Sequence, residues 1–178
     1  METKEEPGVP EAPACPRTLD PSNPEHRMAL RDYQVYTDGS GHKDGLGGAA
    51  YCLRLPGPQM VSRVFASSRT STARMEFEAI LQALQEIVEY SGVLKDSRKG
   101  KPSVWWVSDR QDLVLSCARL QGREANPDLW NRYGWYEGLL DIHPFYQGRA
   151  QTAMNRRADR LAGEGRESMK KLREKGLI

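Results

Sequence analysis

Hydrophobic and polar positions follow two periods along the chain after residue 31, first that of strands and then that of a helix. The segments YQVYT, GLGGAAYCLRL and QMVSRVFASS each predict a strand, and the short turns between them favour an antiparallel meander. The segment TSTARMEFEAILQALQEIVEYSG predicts a long helix that begins at a Ser71 or Thr72 cap and ends at Gly92. Its apolar stripe, which includes Ile80 and Leu84, predicts the face that packs on a sheet.

The second half of the chain predicts two further strands and three helices. The segment SVWWVS is apolar at nearly every position, as is typical of a strand that is covered on both faces. The segments DLVLSCARLQ and NPDLWNRYGWYEGLL predict helices, and DIHPFYQ predicts a last strand. The chain from Met154 to about Lys175 predicts a final helix. The resulting order, βββαβααβα, predicts an α/β fold in which helices cover a mixed sheet.

Composition separates a leader from one globular domain. Residues 1–31 contain six of the eleven prolines and show little apolar periodicity, which predicts a disordered leader, whereas residues 32–178 predict a single domain. The whole chain has a net charge of +2, yet residues 1–32 carry −3, and residues 147–178 hold nine Lys or Arg against four Asp or Glu. A moderately basic body permits a polyanionic partner without requiring one.

The chain shows no sign of membrane insertion or export. No apolar run approaches the length of about 18 residues that a membrane span needs. The N-terminal segment resembles neither a secretory signal nor an Arg-rich transit peptide. Cys15, Cys52 and Cys117 lie far apart in the sequence and predict neither a zinc site nor a disulfide framework. We therefore expect an intracellular, cytoplasmic protein without membrane contact, with a viral or a nuclear origin as the open alternatives.

Four acidic residues occupy positions where the pattern turns the chain toward its interior. Asp38 closes the first strand, Asp109 follows SVWWVS, Glu76 lies on the stripe of the long helix, and Asp159 shares a face with Ala162. A partly buried, ionised carboxylate is costly unless it is paired or binds a metal. If the strands of Asp38 and Asp109 are parallel neighbours, these carboxylates lie side by side at the strand ends, where ligands gather in α/β proteins. Clusters of oxygen ligands favour Mg²⁺ or Mn²⁺.

Each acid also has an ordinary structural explanation. A strand followed by Asp-Gly is more often a turn than a site, and an early Glu interacts favourably with the helix dipole. Ser-Asp after a strand can cap the next helix, and Asp159 can pair with Arg156 or Arg160. The hypothesis of a metal site therefore depends on all four acids occurring in this order and in these contexts.

The segments that carry the acids resemble ribonuclease H type 1, whose fold is shared with the RNase H domains of retroviral reverse transcriptases. YTDGSG with GGAAY resembles the first motif, TARMEFEAILQAL the helix motif, and VSDRQDLV the third motif. NPDLWNRY resembles a helix with a DLW signature, and GRAQTAMNRRADRLA the last motif. The resemblance spans residues 33–165. It implies an RNase H-like, mixed five-stranded sheet, three antiparallel strands followed by parallel ones, flanked by helices.

The resemblance implies a metal-dependent endoribonuclease that hydrolyses the RNA strand of RNA–DNA hybrids by a two-metal mechanism. Asp38, Glu76, Asp109 and Asp159 would be catalytic and would hold two Mg²⁺ ions, for which Mn²⁺ can substitute. The partner would be an RNA–DNA hybrid, recognised through its 2′-hydroxyl groups. We expect a monomer with no obligate protein partner. The resemblance also assigns substrate contacts to a further set of residues: Gly39, Ser40, Thr72, Arg74, Trp130 and Arg149.

Two positions depart from the family pattern. Arg149, in the segment GRAQ, stands where the family has a His that assists proton movement and product release. Because Arg cannot shuttle a proton near neutral pH, we expect slower or differently tuned cleavage. Thr72 and Ala73 stand where many members have Asn, and Ala73 has no side-chain hydrogen bond to offer. This second departure bears on the selectivity for hybrids.

The roles of the tryptophans, and two alternative functions, also remain open at the level of the sequence. Trp105 and Trp106 are expected to pack in the core, whereas Trp130, in the DLW-like position, is a candidate for stacking on nucleic acid. One alternative function is a nucleic-acid-binding protein with weak or no turnover, motivated by Arg149 and Ala73. Another is a nuclease of the same fold that acts on DNA or on branched structures.

Overall fold

Nine helices and strands make up the described part of the chain, which comprises residues 32–96, 100–148 and 152–178 of a computed structural model. The leader of residues 1–31 and the predicted substrate contact Arg149 lie outside the described residues. The element order βββαβααβα is the one that the sequence predicts. The elements are β1 (Tyr33–Gly41), β2 (Gly47–Arg54), β3 (Met60–Ser67), α1 (Thr72–Ser91), β4 (Ser103–Ser108), α2 (Gln111–Cys117), α3 (Pro127–Leu139), β5 (Asp141–Tyr146) and α4 (Ala153–Glu174).

The five strands form one mixed sheet in the order β3-β2-β1-β4-β5. β1 pairs antiparallel with β2, and β2 pairs antiparallel with β3, so the first three strands are the predicted meander. β4 lies parallel to β1, and β5 lies parallel to β4. The fold is therefore the RNase H-like fold that the sequence predicts. The parallel pairing also brings the carboxyl ends of β1 and β4 to the same edge of the sheet, which positions the candidate site.

Helix α1 packs its apolar stripe on one face of the sheet. Ser71 is its N-cap, whose Oγ accepts a hydrogen bond from the backbone N–H of Arg74 at 3.2 Å. Gly92 ends the helix in the left-handed conformation that glycine adopts without strain. The stripe enters a core that is shared with β1, β2, β4 and α3 and includes fully buried Leu84 and Trp106. This face is thus the large apolar core of the molecule.

Helix α4 covers β1, β2 and β3 on the other face, where the contact is between small residues. Ala158, Ala162 and Gly165 are the buried residues of α4, and Gly48 of β2 lies beneath them. A Cβ atom on Gly48 would stand 2.1 Å from the carbonyl oxygen of Ala162, which leaves no room for a side chain. The backbones of α4 and β2 are therefore in direct contact.

One strand departs from its predicted environment. Trp106 is fully buried and donates from Nε1 to Thr37 Oγ1 at 2.8 Å, as expected for a core residue. Trp105, on the opposite face of β4, is only half-buried and stacks on Phe145 of β5 at a ring-centroid distance of 4.8 Å. The expectation that both faces of this strand are fully covered was therefore wrong.

Among the described residues no helix is both long enough and apolar enough to cross a membrane.

Candidate active site

Three of the four predicted acids come together at the carboxyl ends of β1 and β4. Asp38, Glu76 and Asp109 each offer a carboxylate oxygen, and these oxygens lie within 4.8 Å of one another. The parallel register pairs Tyr36 with Val107, so Asp38 and Asp109 each lie two residues beyond this pair. Asp109 directly follows β4, whereas β1 continues to Gly41, so the prediction that Asp38 closes the first strand was wrong. Glu76 reaches the same point from the first turns of α1. The sheet register and one helix thus build the cluster.

Gly39 allows α1 to approach β1 closely enough for Glu76 to join the cluster. A Cβ atom on Gly39 would lie 2.3 Å from the backbone nitrogen of Glu76, so any side chain here would push the helix away. The backbone N–H of Gly39 also hydrogen-bonds to the carboxylates of Asp38 and Glu76. Gly39, predicted as a substrate contact, therefore has a clear structural role beside these two acids.

Asp159 comes from the opposite side of the sheet. It lies on α4 next to buried Ala158, and its carboxyl group is close enough to that of Asp38 to raise the pKa of Asp38. Its side chain is exposed, so the expectation that it turns toward the interior was wrong. The structure brings Asp159 to Asp38, but not into the three-acid cluster of Asp38, Glu76 and Asp109.

Burial and mutual repulsion make the cluster electrostatically unfavourable without a cation. Burial, followed by the neighbouring carboxylates of Asp109 and Asp159, raises the pKa of Asp38 to about 7. Burial and the carboxylates of Asp38 and Asp109 also hold the pKa of Glu76 well above its usual range, while the nearby Arg110 opposes this shift. A bound divalent cation would stabilise the ionised carboxylates and remove this penalty.

The donor set fits a hard divalent cation. Glu76 Oε2 is buried and has no hydrogen-bond partner in the described part of the chain, which is costly for a carboxylate oxygen unless a ligand satisfies it. The cluster presents carboxylate oxygens only, and this is the ligand type that Mg²⁺ and Mn²⁺ prefer. The three clustered acids would hold the ion, and Asp159 stands beside them through Asp38.

Ser40 and Thr72 lie near the cluster at the end of β1. Ser40 follows Asp38 on the same face of the strand, and its Oγ accepts a hydrogen bond from Arg166 Nη1 at 2.9 Å. Thr72 is the first residue of α1, and a Cβ atom on Gly41 would lie 2.5 Å from its Oγ1. Ser40 is therefore two residues from Asp38 on β1, and Thr72 is four residues from Glu76 on α1.

Arg74 and Trp130 join α1 to α3. The Arg74 guanidinium pairs with Asp128, with one bond from Nη1 to Oδ1 at 3.2 Å, and it approaches Glu78 at 3.9 Å. The Trp130 ring packs edge-on against Phe77, and the Arg123 guanidinium lies over it at 4.7 Å from the centroid. Each predicted substrate contact is thus already engaged within the protein, and neither projects freely into solvent.

Two arginines beside the acids were not among the sequence predictions. Arg110 directly follows Asp109, forms a bidentate pair with Asp112 through Nε and Nη2, and faces Glu76. Its position directly after Asp109, in the third motif, could have indicated from the sequence that Arg110 lies beside the acids. Arg166 reaches Ser40 across 126 positions of sequence, and no local pattern indicates that contact.

Comparison with known proteins identifies the family and the fold. The family model for RNase H matches residues 31–167. A comparison with the sequences of curated proteins gives no match. Among solved structures, the N-terminal RNase H domain of a Mycobacterium tuberculosis protein, solved as a fusion with maltose-binding protein, superimposes with a TM-score of 0.64 at 15% identity, over 77% of this chain and 94% of that one.

Two further solved structures have the same fold. LC11-RNase H1, isolated from compost by a metagenomic approach, superimposes with a TM-score of 0.63 at 17% identity, over 78% of this chain and 98% of that one. RNase H1 from the halophilic archaeon Halobacterium salinarum gives a TM-score of 0.59 at 20% identity, over 77% and 98% of the two chains. The LC11 protein has also been solved in complex with an RNA/DNA hybrid. The match of the family model over most of the chain shows that this protein belongs to the RNase H family.

Proposed function

We propose that the protein is a divalent-metal-dependent endonuclease that hydrolyses the RNA strand of RNA–DNA hybrids. Membership of the RNase H family supports a nuclease, and the LC11 complex supports a hybrid as the substrate. The cofactor would be Mg²⁺, with Mn²⁺ able to substitute, at a site that holds two ions. Asp38, Glu76, Asp109 and Asp159 would be the catalytic acids.

The observation that carries the proposal is the cluster at the carboxyl ends of two adjacent parallel strands. Asp38 and Asp109 are in register, and buried Glu76 completes the group with one oxygen that has no hydrogen-bond partner among the described residues. A protein gains nothing in stability from three close carboxylates when burial and repulsion raise the pKa values of two of them, Asp38 and Glu76. This arrangement is instead suited to binding a divalent cation next to a phosphate group.

The four acids would have different catalytic roles because they differ in burial and in the elements that hold them. When bound, divalent metal ions supply an activated water and stabilise charge on the leaving oxygen of a phosphodiester. Glu76 is fixed by α1 and Asp38 by β1, so these two buried side chains hold a defined geometry. Asp109 is half-buried and Asp159 exposed, which leaves them accessible to water and to substrate. Arg110 sets a positive charge beside the two carboxylates of Glu76 and Asp109.

The test is cleavage of a labelled RNA–DNA hybrid with Mg²⁺ and with EDTA. We expect metal-dependent cleavage by the wild type and a loss of at least about a hundredfold in the Asp109→Asn variant, since a metal ligand is removed without a change in shape. Asp141→Asn is the matched control, because Asp141 is an exposed carboxylate that pairs with His143 at 3.1 Å far from the cluster. Absence of metal-dependent cleavage, or equal cleavage by the Asp109→Asn variant, would contradict the proposal.

A second candidate function is binding of nucleic acid with weak or no turnover. Ala73 favours it, because this residue lines the cleft between α1 and Trp130 and contributes no polar side-chain group there. This candidate predicts that the wild type binds a hybrid or a duplex tightly and cleaves neither. The same assay, extended to duplex DNA, duplex RNA and a four-way junction, also tests the remaining alternative of a nuclease for DNA or branched structures.

A further inference from the structure

A second cleft lies on the α4 side of the sheet, beyond the acids. Its walls are the loop between β1 and β2, with His42 and Asp44, and the C-terminal half of α4, with Arg166 and Lys170. Leu46 is buried at its floor, and the cleft has a volume of about 300 Å³. This volume is several times the roughly 30 Å³ that one water occupies in the liquid, so the cleft can admit a phosphate group.

Three contacts fix both walls of this cleft. Direct packing of Gly165 against β3, where an added Cβ would lie 2.8 Å from the carbonyl oxygen of Phe65, holds α4 on the sheet. Arg166 Nη1 donates to Ser40 Oγ at 2.9 Å and ties the helix to the end of β1. Arg173 binds both the carboxylate of Asp44 at 3.1 Å and its carbonyl at 3.3 Å, which anchors the loop. The cleft is therefore preorganised.

The charges that face the cleft are only partly neutralised. Asp44 is already shared between Arg173 and His42, whose Nδ1 lies 2.9 Å from Oδ1. Glu167 lies 3.3 Å from Arg166 Nη2. Lys170 is exposed and forms no ion pair with any other described residue. A free ammonium group beside a fixed guanidinium is an arrangement that favours an anion.

We propose that this cleft binds a backbone phosphate of the nucleic-acid strand that the acid cluster cleaves, with Lys170 as the principal contact and Arg166 beside it. The proposal rests on the proposed function for the choice of ligand. It assigns a role to a part of α4 that the family itself does not explain, because the family model ends at residue 167, before Lys170 and Arg173. The cleft would extend the grip on the substrate beyond the catalytic acids.

The distance between the two sites suits one continuous strand. Lys170 follows Asp159 by eleven residues on the same helix, which is about 16 Å along its axis at ~1.5 Å per residue. With a rise of about 3.4 Å per base pair along one strand, this corresponds to roughly five base pairs. Ser40 connects the two sites directly, since it follows Asp38 on β1 and binds Arg166. A duplex longer than one half-turn can therefore reach both sites at once.

The test compares lysines that are neighbours in sequence but not in position. Lys170→Gln removes the charge in the cleft, whereas Lys171→Gln makes the same change at an exposed residue that does not line it. Binding of an 18-base-pair RNA–DNA hybrid is measured by fluorescence anisotropy at several salt concentrations, in an Asp109→Asn background that prevents cleavage. A lysine that contacts a phosphate adds about 0.9 to the slope of log affinity against log salt.

We expect Lys170→Gln to weaken hybrid binding roughly threefold to tenfold and to reduce the salt slope by about one. Lys171→Gln should leave both quantities unchanged, and Lys170→Arg should restore them because it returns the charge. A general loss of stability could weaken binding but would not remove one counterion from the slope. An unchanged slope in the Lys170→Gln variant, or the same reduction in the Lys171→Gln variant, would overturn the inference.

The failure of this inference can be told apart from the failure of the proposed function. If the wild type cleaves the hybrid with Mg²⁺ but Lys170→Gln leaves the slope unchanged, the function stands and the cleft is not a phosphate site. If no hybrid is cleaved, the same slopes are measured on duplex DNA and duplex RNA, and a reduction specific to Lys170→Gln upholds the cleft alone. If the wild type binds none of the three duplexes, both proposals fail.

Discussion

The two faces of the sheet hold their helices by opposite means. On one face, α1 and α3 bury large side chains such as Leu84 and Trp106 in a continuous apolar core. On the other, α4 approaches so closely that backbone meets backbone at Gly48 and Gly165. The first face gains stability from apolar area removed from water. The second gains it from close packing of backbone on backbone, which glycine permits because it has no side chain. The acid cluster lies between the two helices: Glu76 enters it from the α1 side, and Asp159 of α4 stands beside it next to Asp38.

This difference in packing determines how rigidly each face of the sheet holds its acidic residue. The α1 face sets the position of Glu76 through a packed core, and the 5% exposure of that residue shows how completely it is enclosed. The α4 face leaves Asp159 exposed and supports a helix whose outer residues are largely charged. Buried geometry is thus concentrated on one side of the candidate site and accessible charge on the other.

The largest expected effect is on the backbone contact of the α4 face. Gly48→Ala would place a Cβ atom 2.1 Å from the carbonyl oxygen of Ala162 and 2.5 Å from the backbone nitrogen of Arg166. Because neither group is a flexible side chain, α4 must shift, and we expect the free energy of unfolding to fall by about 3 kcal/mol. Urea denaturation followed by circular dichroism measures the change.

The matched control for this contact lies on α4 itself. A Cβ atom on Gly163 meets nothing within 4 Å, so Gly163→Ala should stabilise the protein by about 0.5–1 kcal/mol through its higher helix propensity. If Gly48→Ala is as stable as the wild type, the α4 face does not depend on direct backbone contact, and the contrast between the faces fails.

The second prediction concerns pH, and it tests the cluster between the faces. The pKa of Asp38 is raised to about 7 in the folded protein, against about 3.9 in an unfolded chain. Between these values the folded state binds more protons than the unfolded state, so the free energy of unfolding falls as pH rises. We expect the metal-free wild type to lose roughly 2 kcal/mol relative to Asp38→Asn between about pH 4.5 and pH 7.5.

Urea denaturation in EDTA across this pH range measures the difference between the two proteins. Saturating Mg²⁺ should reduce the loss in the wild type, since a bound cation favours the ionised carboxylates. Three other aspartates do not contribute to this difference, because their pKa values are lowered and they titrate below this pH range: Asp44, Asp112 and Asp128. Parallel pH curves for the wild type and Asp38→Asn would show that Asp38 is not strained by its neighbours.

The third prediction separates the acids that the two faces contribute. In EDTA near pH 7.5 we expect Glu76→Gln to raise the free energy of unfolding by on the order of 1 kcal/mol, because burial and two neighbouring carboxylates raise the pKa of Glu76. Asp159→Asn should change it by less than about 0.5 kcal/mol, since that side chain is exposed. Thermal unfolding with and without Mg²⁺ measures both.

The unfolding measurements with Mg²⁺ test the same two variants in the presence of the metal. Glu76→Gln should reduce the stabilisation that Mg²⁺ gives to the wild type, because one carboxylate oxygen ligand is exchanged for an amide. If Asp159→Asn stabilises the metal-free protein as much as Glu76→Gln does, charge repulsion is shared evenly between the faces. The buried and the exposed acid would then play equivalent electrostatic roles.

The sequence predicts features that depend on local pattern and misses those that depend on contact between distant backbones. The cap at Ser71, the end at Gly92 and the apolar stripe of α1 follow from periodicity and cap chemistry. The meeting of Asp38 and Asp109 was predicted on the condition that their strands are parallel neighbours, which the pairing of β1 with β4 confirms, and the motif resemblance added Glu76.

Other features have no local signature. The exposure of Asp159 depends on which way α4 is rotated over the sheet, and the helix has too few large apolar residues to set that rotation from pattern alone. Trp105 looked like a core residue because hydrophobicity does not reveal which face of a strand a helix covers. The bond from Arg166 to Ser40 joins positions 126 residues apart, so only the tertiary fold reveals it.

The smallest effect concerns Arg74, whose predicted contact with substrate competes with an ion pair on the α1 side. Arg74 and Asp128 connect α1 to α3, and their side chains are 35% and 56% exposed. A double-mutant cycle of Arg74→Ala and Asp128→Ala should give a coupling energy of about 0.5 kcal/mol, which salt weakens. On the α4 side, the local pair of Arg160 and Glu164 should give about 0.3 kcal/mol in the same measurement.

Hybrid binding by these Arg74 and Asp128 variants then decides between the two roles of Arg74. If the guanidinium serves only to join the helices, Arg74→Ala and Asp128→Ala should change hybrid affinity equally and by less than about twofold. If it contacts the substrate, Arg74→Ala should weaken binding and lower the salt slope by about one, whereas Asp128→Ala should strengthen binding because it frees the guanidinium. The salt slope of the Arg74→Ala variant is therefore the sharper measurement, since removal of the negative charge of Asp128 alone also favours binding of a polyanion.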